Sequence, residues 1–181
     1  MNLIFRTLLQ LLRSRRASRL GVHDVGRTNF RVVPTDLDVL GHMNNGVYLS
    51  IMDLARMDLM IRAGVWARLR ALGFYPVVSN ETISFRKSLQ PWQRFTVESR
   101  IVGYDAKAVF VEQRFVVRGE LYAKAFMRGR FLKKSGGTVS IAELSDALGV
   151  DTAEVALPAW LARWSDDVVL PPTKVNAPST W

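Results

Sequence analysis

The chain has 181 residues, of which 49% are hydrophobic and 23% charged, a composition that suits one domain with an appendage and excludes a largely disordered polymer. It has no cysteine and only two histidines, His23 and His42, which excludes a disulfide framework, a thiol nucleophile, a thiolate zinc site and a histidine-rich metal cage; neither a metal nor a cofactor is expected. The net charge is +9, so an anion of some kind is the expected partner: nucleic acid, lipid head groups or a phosphorylated small molecule.

The charge is concentrated at the start. Residues 1–28 hold six arginines and one aspartate, which leaves +4 for the other 153 residues. A duplex binder carries its basic stripe on the folded domain, and no finger spacing or RNP-type aromatic motif is present, so nucleic acid is not an expected partner. Within this segment Leu3, Ile4, Phe5, Leu8, Leu9, Leu11 and Leu12 recur at helical spacing, opposite Asn2, Arg6, Gln10 and Arg13. The apolar run is too short to span a membrane, and its positive charge follows the apolar stretch, unlike a signal peptide. The helix lies on an anionic membrane surface through residues 1–19, or it packs on its own domain or a partner subunit, or it is frayed. The expected location is cytoplasmic, peripheral at the inner face of a membrane under the first reading.

Residues 28–34 read as a short strand ended by Pro34. A polar loop follows over 35–46. From Val47 to about Ala63 the pattern is helical, with Asn44 or Asn45 as the N-cap, and apolar around most of its circumference, which marks a buried helix. Gly64 stops it, and one more short turn precedes Gly73. Beyond Gly73 the period changes to two. Strands are expected over 75–88 with a bulge, 94–103, 107–118 and 121–133, joined by turn chemistry at Gly103-Tyr104-Asp105 and Gly119-Glu120. Each presents one apolar face, and the helix at 47–63 is the element able to cover them. Ser140-x-x-Glu143 and Asp151-x-x-Glu154 are capping-box patterns that predict two short helices, and the last dozen residues read as an irregular tail.

One strand, a long buried helix and a bent antiparallel sheet around it make an α+β architecture that resembles the hotdog fold. The likeness becomes specific in Thr35-Asp-Leu-Asp-Val-Leu-Gly-His-Met-Asn-Asn-Gly-Val-Tyr48 and the later Arg56. This stretch resembles the motif of hotdog thioesterases of the 4-hydroxybenzoyl-CoA type, including the bacterial long-chain acyl-CoA enzymes. Ile83-Ser-Phe-Arg-Lys-Ser-Leu-Gln-Pro91 resembles the family's later strands. The expected organisation is a basic amphipathic extension over 1–27, a hotdog domain over 28–137 and a helical extension with a tail over 138–181.

The resemblance implies hydrolysis of an acyl-CoA, fatty or aromatic, by a homodimer or higher homo-oligomer with its site between subunits. The chemistry asks for the same parts. A thioester carbonyl needs a donor for its developing oxyanion, and the first turn of a helix offers free amides and a positive dipole end. The amides around Gly46, Val47 and Tyr48 are at that place. A carboxylate must activate water or attack directly. By resemblance that carboxylate is Asp38, as general base or as nucleophile. Asp36 is expected to brace the loop or pair with Arg56. His42 is a brace or a proton carrier. Asn44 and Asn45 cap the helix or orient substrate amides, Tyr48 lines an acyl channel, and Arg86, Lys87, Arg128 and Arg130 contact CoA phosphates or stay solvated. Hotdog hydratases resemble an Asp-x4-His pattern, which Asp38 and His42 do not form. A module that binds acyl-CoA, or tethers to a membrane, without turnover is the alternative of another class. Deleting residues 1–19 is expected to abolish vesicle binding and to spare catalysis.

Overall fold

The computed structural model describes residues 4–172 and 174–179. Asn2 and Leu3 of the expected first helix, and Thr173, Thr180 and Trp181 of the expected tail, lie outside the described residues. The chain runs through α1 (Ile4–Arg16), β1 (Gly26–Arg31), a 3-10 turn at Pro34–Asp36, α2 (Asn45–Arg62), α3 (Val65–Ala71) and β2 (Phe74–Phe85). There follow β3 (Arg94–Tyr104), β4 (Ala108–Val117), β5 (Glu120–Lys133), β6 (Thr138–Val139), α4 (Ile141–Leu148) and α5 (Ala159–Asp167). The strands form one antiparallel sheet in the order β1-β3-β4-β5-β2, with β6 added to β5. This is the hotdog arrangement, a curled sheet wrapped on a central helix.

The core follows from the two periodicities. α2 buries Val47, Tyr48, Ile51, Met52, Leu54, Ala55 and Leu59. Its first half meets Phe95, Val97, Phe115, Ala123 and Ala125, alternate residues of three strands. A second cluster joins Val65 and Leu69 of α3 to Val109, Val111, Met127 and Phe131. The bulge expected in β2 is a register shift between Val78 and Asn80.

β4 departs from simple alternation. Residues 108–113 are buried on both faces, the charged Glu112 among them. The cause is α5, whose Leu161 packs with Val102, Ala108 and Phe110 on the outer face of the sheet. Glu112 is tolerated there because Arg100 and Arg114 both donate to its carboxylate, at 2.8 and 2.7 Å. Ser140 caps α4 as expected, accepting from the Glu143 amide. Asp151 instead caps only a 3-10 turn, Thr152–Glu154. Pro158 cannot continue a helix begun there, and α5 starts after it.

Leu157 seats this C-terminal segment on Gly103. A Cβ built on Gly103 would lie 2.5 Å from Leu157 Cα, and the glycine has φ +152°. Gly103→Ala is therefore expected to lose about 1–3 kcal/mol as α5 is pushed from the sheet. Urea unfolding measures this, and an unchanged midpoint would mean that the segment yields freely.

α1 is docked on α2, but by its polar side. Arg6 makes a bidentate pair with Asp36, at 3.0 and 2.8 Å. Gln10 and Ser14 both donate to Asp58 Oδ1 of α2, at 3.1 and 2.6 Å. Thr28 Oγ1 and Arg62 Nη1 donate to the other oxygen of Asp58. The expected Asp36–Arg56 pairing is thus corrected: Asp36 binds Arg6, while Arg56 faces the sheet. Among the described residues no helix is long and apolar enough to cross a membrane.

Candidate active site

Residues 36–44 fold back on themselves. Leu37 and Met43 form an antiparallel bridge, and the Asn44 amide donates to Asp36 O at 2.8 Å. Asp38 N–H donates to His42 O at 2.9 Å, and Gly41 N–H to Asp38 O at 3.1 Å. Gly41 takes φ +78°, a conformation that favours glycine and explains its place in the motif. The hairpin is anchored to the loop before β3 by Met43 N–H, which donates to Leu89 O. A short rigid arm therefore carries Asp38 and delivers the chain directly into α2.

The Asp38 carboxylate is one-fifth exposed. Its Oδ1 accepts from the Leu40 amide at 2.9 Å. Its Oδ2 lies 3.2 Å from His42 Nδ1 without the alignment of a hydrogen bond. One oxygen is thus pinned to the turn, and the other faces the imidazole. Val39 and Leu40, at the tip, are exposed.

Asn44 caps α2. Its side chain accepts from the Gly46 amide at 2.8 Å, and its carbonyl accepts from the Val47 amide at 2.9 Å. Of the amides expected as oxyanion donors, those of Gly46 and Val47 are therefore engaged. The Asn45 amide, the first of the helix, has no acceptor among the described residues. It is a free donor at the positive end of the dipole, one position before Gly46. In front of Gly46 the space is open: a Cβ there would meet only Asn44 Oδ1, at 3.2 Å. Asn44→Ala removes the cap and is expected to lower stability by about 1 kcal/mol, read from the urea midpoint. A change below the measurement error would show that the cap contributes nothing.

A polar cluster and an apolar cavity lie further along α2. Arg56 pairs with Asp53, with Glu81 of β2 at 2.7 Å, and donates to Gln113 Oε1 of β4 at 2.7 Å. Gln113 in turn donates to Met52 O and Ser99 Oγ. Burial pushes the Glu81 carboxyl above its ordinary value, against the pull of the Arg56 charge. A cavity of about 280 Å³ follows, lined by Met57, Met60, Val109, Met127, Phe131 and Leu144 among others. Asp53 and Arg56 are the only charged residues of that lining among the described residues. Gly46, Ser50, Asp53, Met57 and Met60 recur every three or four residues, so one stripe of α2 runs from the helix start to the cavity. At 1.5 Å per residue, Asp53 lies roughly 10 Å along the helix from Gly46.

A family model described as the thioesterase-like superfamily matches residues 32–165, three-quarters of the chain and the whole of this site. The chain belongs to that superfamily. It is 35% identical over 126 residues to protein THEM6 of Danio rerio, covering 70% of this chain and 62% of the relative. The chain spans about half to three-fifths of the length of the curated relatives it matches. Among solved structures, the YbaW probable thioesterase of Escherichia coli superposes with a TM-score of 0.64 at 24% identity, covering 67% of this chain and 95% of that one. The gentisyl-coenzyme A thioesterase BH1999 superposes with a TM-score of 0.60 at 18% identity, covering 66% and 98%. Both show the fold.

Several expected site residues of this thioesterase-like chain are placed differently by the structure. Tyr48, expected along an acyl channel, is fully buried in the core. It is buried between Phe85 and Phe115, and its hydroxyl accepts from the Leu89 amide at 3.2 Å. Burial holds its phenol above the ordinary value. Arg86 and Lys87 stand close to the hairpin's anchor at Leu89 and share one carboxylate, Glu120, at 2.8 and 2.7 Å. Arg128 and Arg130 are not with them. Arg128 pairs with Asp105 and Arg130 donates to Thr138, eight or more residues along β5 from Glu120, or about 26 Å. Glu81 and Gln113 escaped sequence reasoning, since each sits in an ordinary alternating strand.

Proposed function

We propose that the chain hydrolyses acyl-CoA thioesters. The observation that carries this reading is the hairpin itself, which holds a partly exposed carboxylate on the arm leading into a helix whose first amide is unclaimed. Asp38 Oδ2 takes the proton of an attacking water, or attacks the carbonyl itself. The Asn45 amide receives the oxyanion, joined by Gly46 when the Asn44 side chain gives way. His42 braces the carboxylate. Arg86 and Lys87 meet the CoA phosphates in exchange for Glu120. The apolar cavity along the α2 stripe suits a linear aliphatic acyl chain, and this supports a fatty over an aromatic substrate.

The chain acts as a homodimer. β2 is a twelve-residue strand at the edge of the sheet, with Tyr75, Val78 and Phe85 exposed on it. An unpaired edge of that length invites a partner strand. The exposed Val39 and Leu40 beside Asp38 suit cover by a second subunit or by substrate. A monomer in light scattering at micromolar concentration would refute this assembly.

The second reading, binding without turnover, draws on the same hairpin. Asp38 Oδ1 already serves the turn and the Gly46 amide is already capped, as in a purely structural loop. A panel of acyl-CoA thioesters with a thiol-trapping dye separates the two. Thiol release that grows with aliphatic chain length supports hydrolysis. Saturable binding of the same thioesters with no release would establish the binding module instead.

A further inference from the structure

An amphipathic helix that packs on its own domain normally buries its apolar stripe, because apolar burial is the main reward for docking. α1 does the reverse. Arg6, Gln10 and Ser14, spaced by four residues, form the face turned to the protein, and Gln10 and Ser14 are buried. Phe5, Leu8, Leu9 and Leu12 are exposed by 79, 53, 47 and 56%. The orientation is fixed, since two aspartates on separate elements, Asp36 and Asp58, grip successive turns of the polar face.

The exposed stripe is continued by cations. On a 3.6-residue period Arg15 and Arg16 extend the same outward side as Leu8 and Leu12. Among the described residues, none of Arg13, Arg15, Arg16 and Arg19 has a carboxylate partner, and all four are exposed. α1 itself contains no acidic residue. A second copy of this helix would therefore offer apolar contact but nothing to neutralise the arginines.

From this geometry we infer that α1 is a docking surface for an anionic lipid bilayer. The domain holds the helix by its polar face. Phe5, Leu8, Leu9 and Leu12 enter the boundary between head groups and acyl chains, and Arg13, Arg15, Arg16 and Arg19 meet lipid phosphates. The inference stands whether or not the chain cleaves thioesters.

The test is sedimentation of the full chain with vesicles of phosphatidylcholine mixed with phosphatidylglycerol, and with phosphatidylcholine alone. The wild type is expected to sediment with the mixed vesicles at low salt, and less at high salt as the charges are screened. The Leu8→Glu/Leu12→Glu variant changes only exposed side chains and is expected to keep the wild-type melting temperature. Its partition into mixed vesicles is expected to fall on the order of 100-fold, from the loss of two buried leucines. Arg15→Gln/Arg16→Gln is expected to weaken binding to mixed vesicles and to flatten its salt dependence. A wild type left in the supernatant with mixed vesicles at low salt overturns the inference. So does a Leu8→Glu/Leu12→Glu variant that sediments like the wild type. If that variant instead loses mass in light scattering with vesicle binding unchanged, the stripe is a protein interface and the lipid surface is refuted.

Discussion

Asp38→Asn is expected to lower kcat on acyl-CoA by about 10²–10⁴-fold, the range typical of removing a general base, and to leave the fold in place. Asn keeps the shape of the carboxylate, and its Oδ1 can still accept from the Leu40 amide, so the turn survives. It cannot take a proton from water near neutral pH or attack as a carboxylate. The Asn45 amide is a backbone group and is unaffected, so a residual rate above that of water remains. Two further substitutions sharpen the assignment. Asp36→Asn removes the charge from a buried site where Arg6 donates twice, so its cost falls on stability more than on turnover. His42→Ala removes the brace facing Oδ2 and is expected to cost an intermediate amount. The measurement is steady-state hydrolysis beside urea unfolding for all three. If Asp38→Asn turns over within a few-fold of wild type while Asp36→Asn or His42→Ala is dead, Asp38 is not the catalytic carboxylate.

The largest expected effect on stability belongs to Asp58→Ala, at about 3–5 kcal/mol, the loss seen when one partner of a buried ion pair is removed. Asp58 is 3% exposed and accepts from Gln10, Ser14, Thr28 and Arg62. Alanine strands all four donors, and the Arg62 charge is left without its carboxylate. α1 then loses its second grip, so cleavage by trypsin at Arg13–Arg16 should accelerate along with the drop in urea midpoint. Asp58→Asn keeps an acceptor oxygen and should fall between the two. Loss of less than about 1 kcal/mol, no more than an exposed pair is worth, would show that water replaces the carboxylate and that α1 is held by Arg6 alone.

The parts of the molecule visible in the sequence are those whose residues are neighbours in the chain. The hairpin and helix start are one contiguous motif, 35–48, and the turn bonds within it span few residues. Most strands alternate, so their extent and facing could be read, but not that β2 pairs with β5 across the sheet instead of with β3; Ser140 announced its helix by a bond to a residue three positions on. What stayed hidden depends on distant partners. Arg6 meets Asp36 across 30 residues, and no local pattern distinguishes it from the other arginines of the segment. The double-sided burial of β4 depends on α5, more than 40 residues later. Asp151 looked like Ser140, but Pro158 lies too close for a helix to run between them. Which amide at the helix start is left unclaimed was hidden for a local reason. Whether a cap occupies the amide of Gly46 or that of a neighbour depends on the torsions of Asn44, which composition does not specify.

The Arg6–Asp36 clasp bears on how the first segment can be studied. A shortened chain lacking residues 1–19 would not be the same domain without an ornament. It would strip Asp36 and Asp58 of Arg6, Gln10 and Ser14, which now cover and bind them, and Asp36 is two positions from Asp38 on the same arm. Removal of the segment is therefore expected to damage the reactive hairpin as well as any lipid contact, and the expectation that catalysis is spared does not survive the geometry. Silence in a truncated protein would report a broken hinge pin rather than a missing anchor. The two roles separate only when the outer stripe is altered and the inner one left untouched.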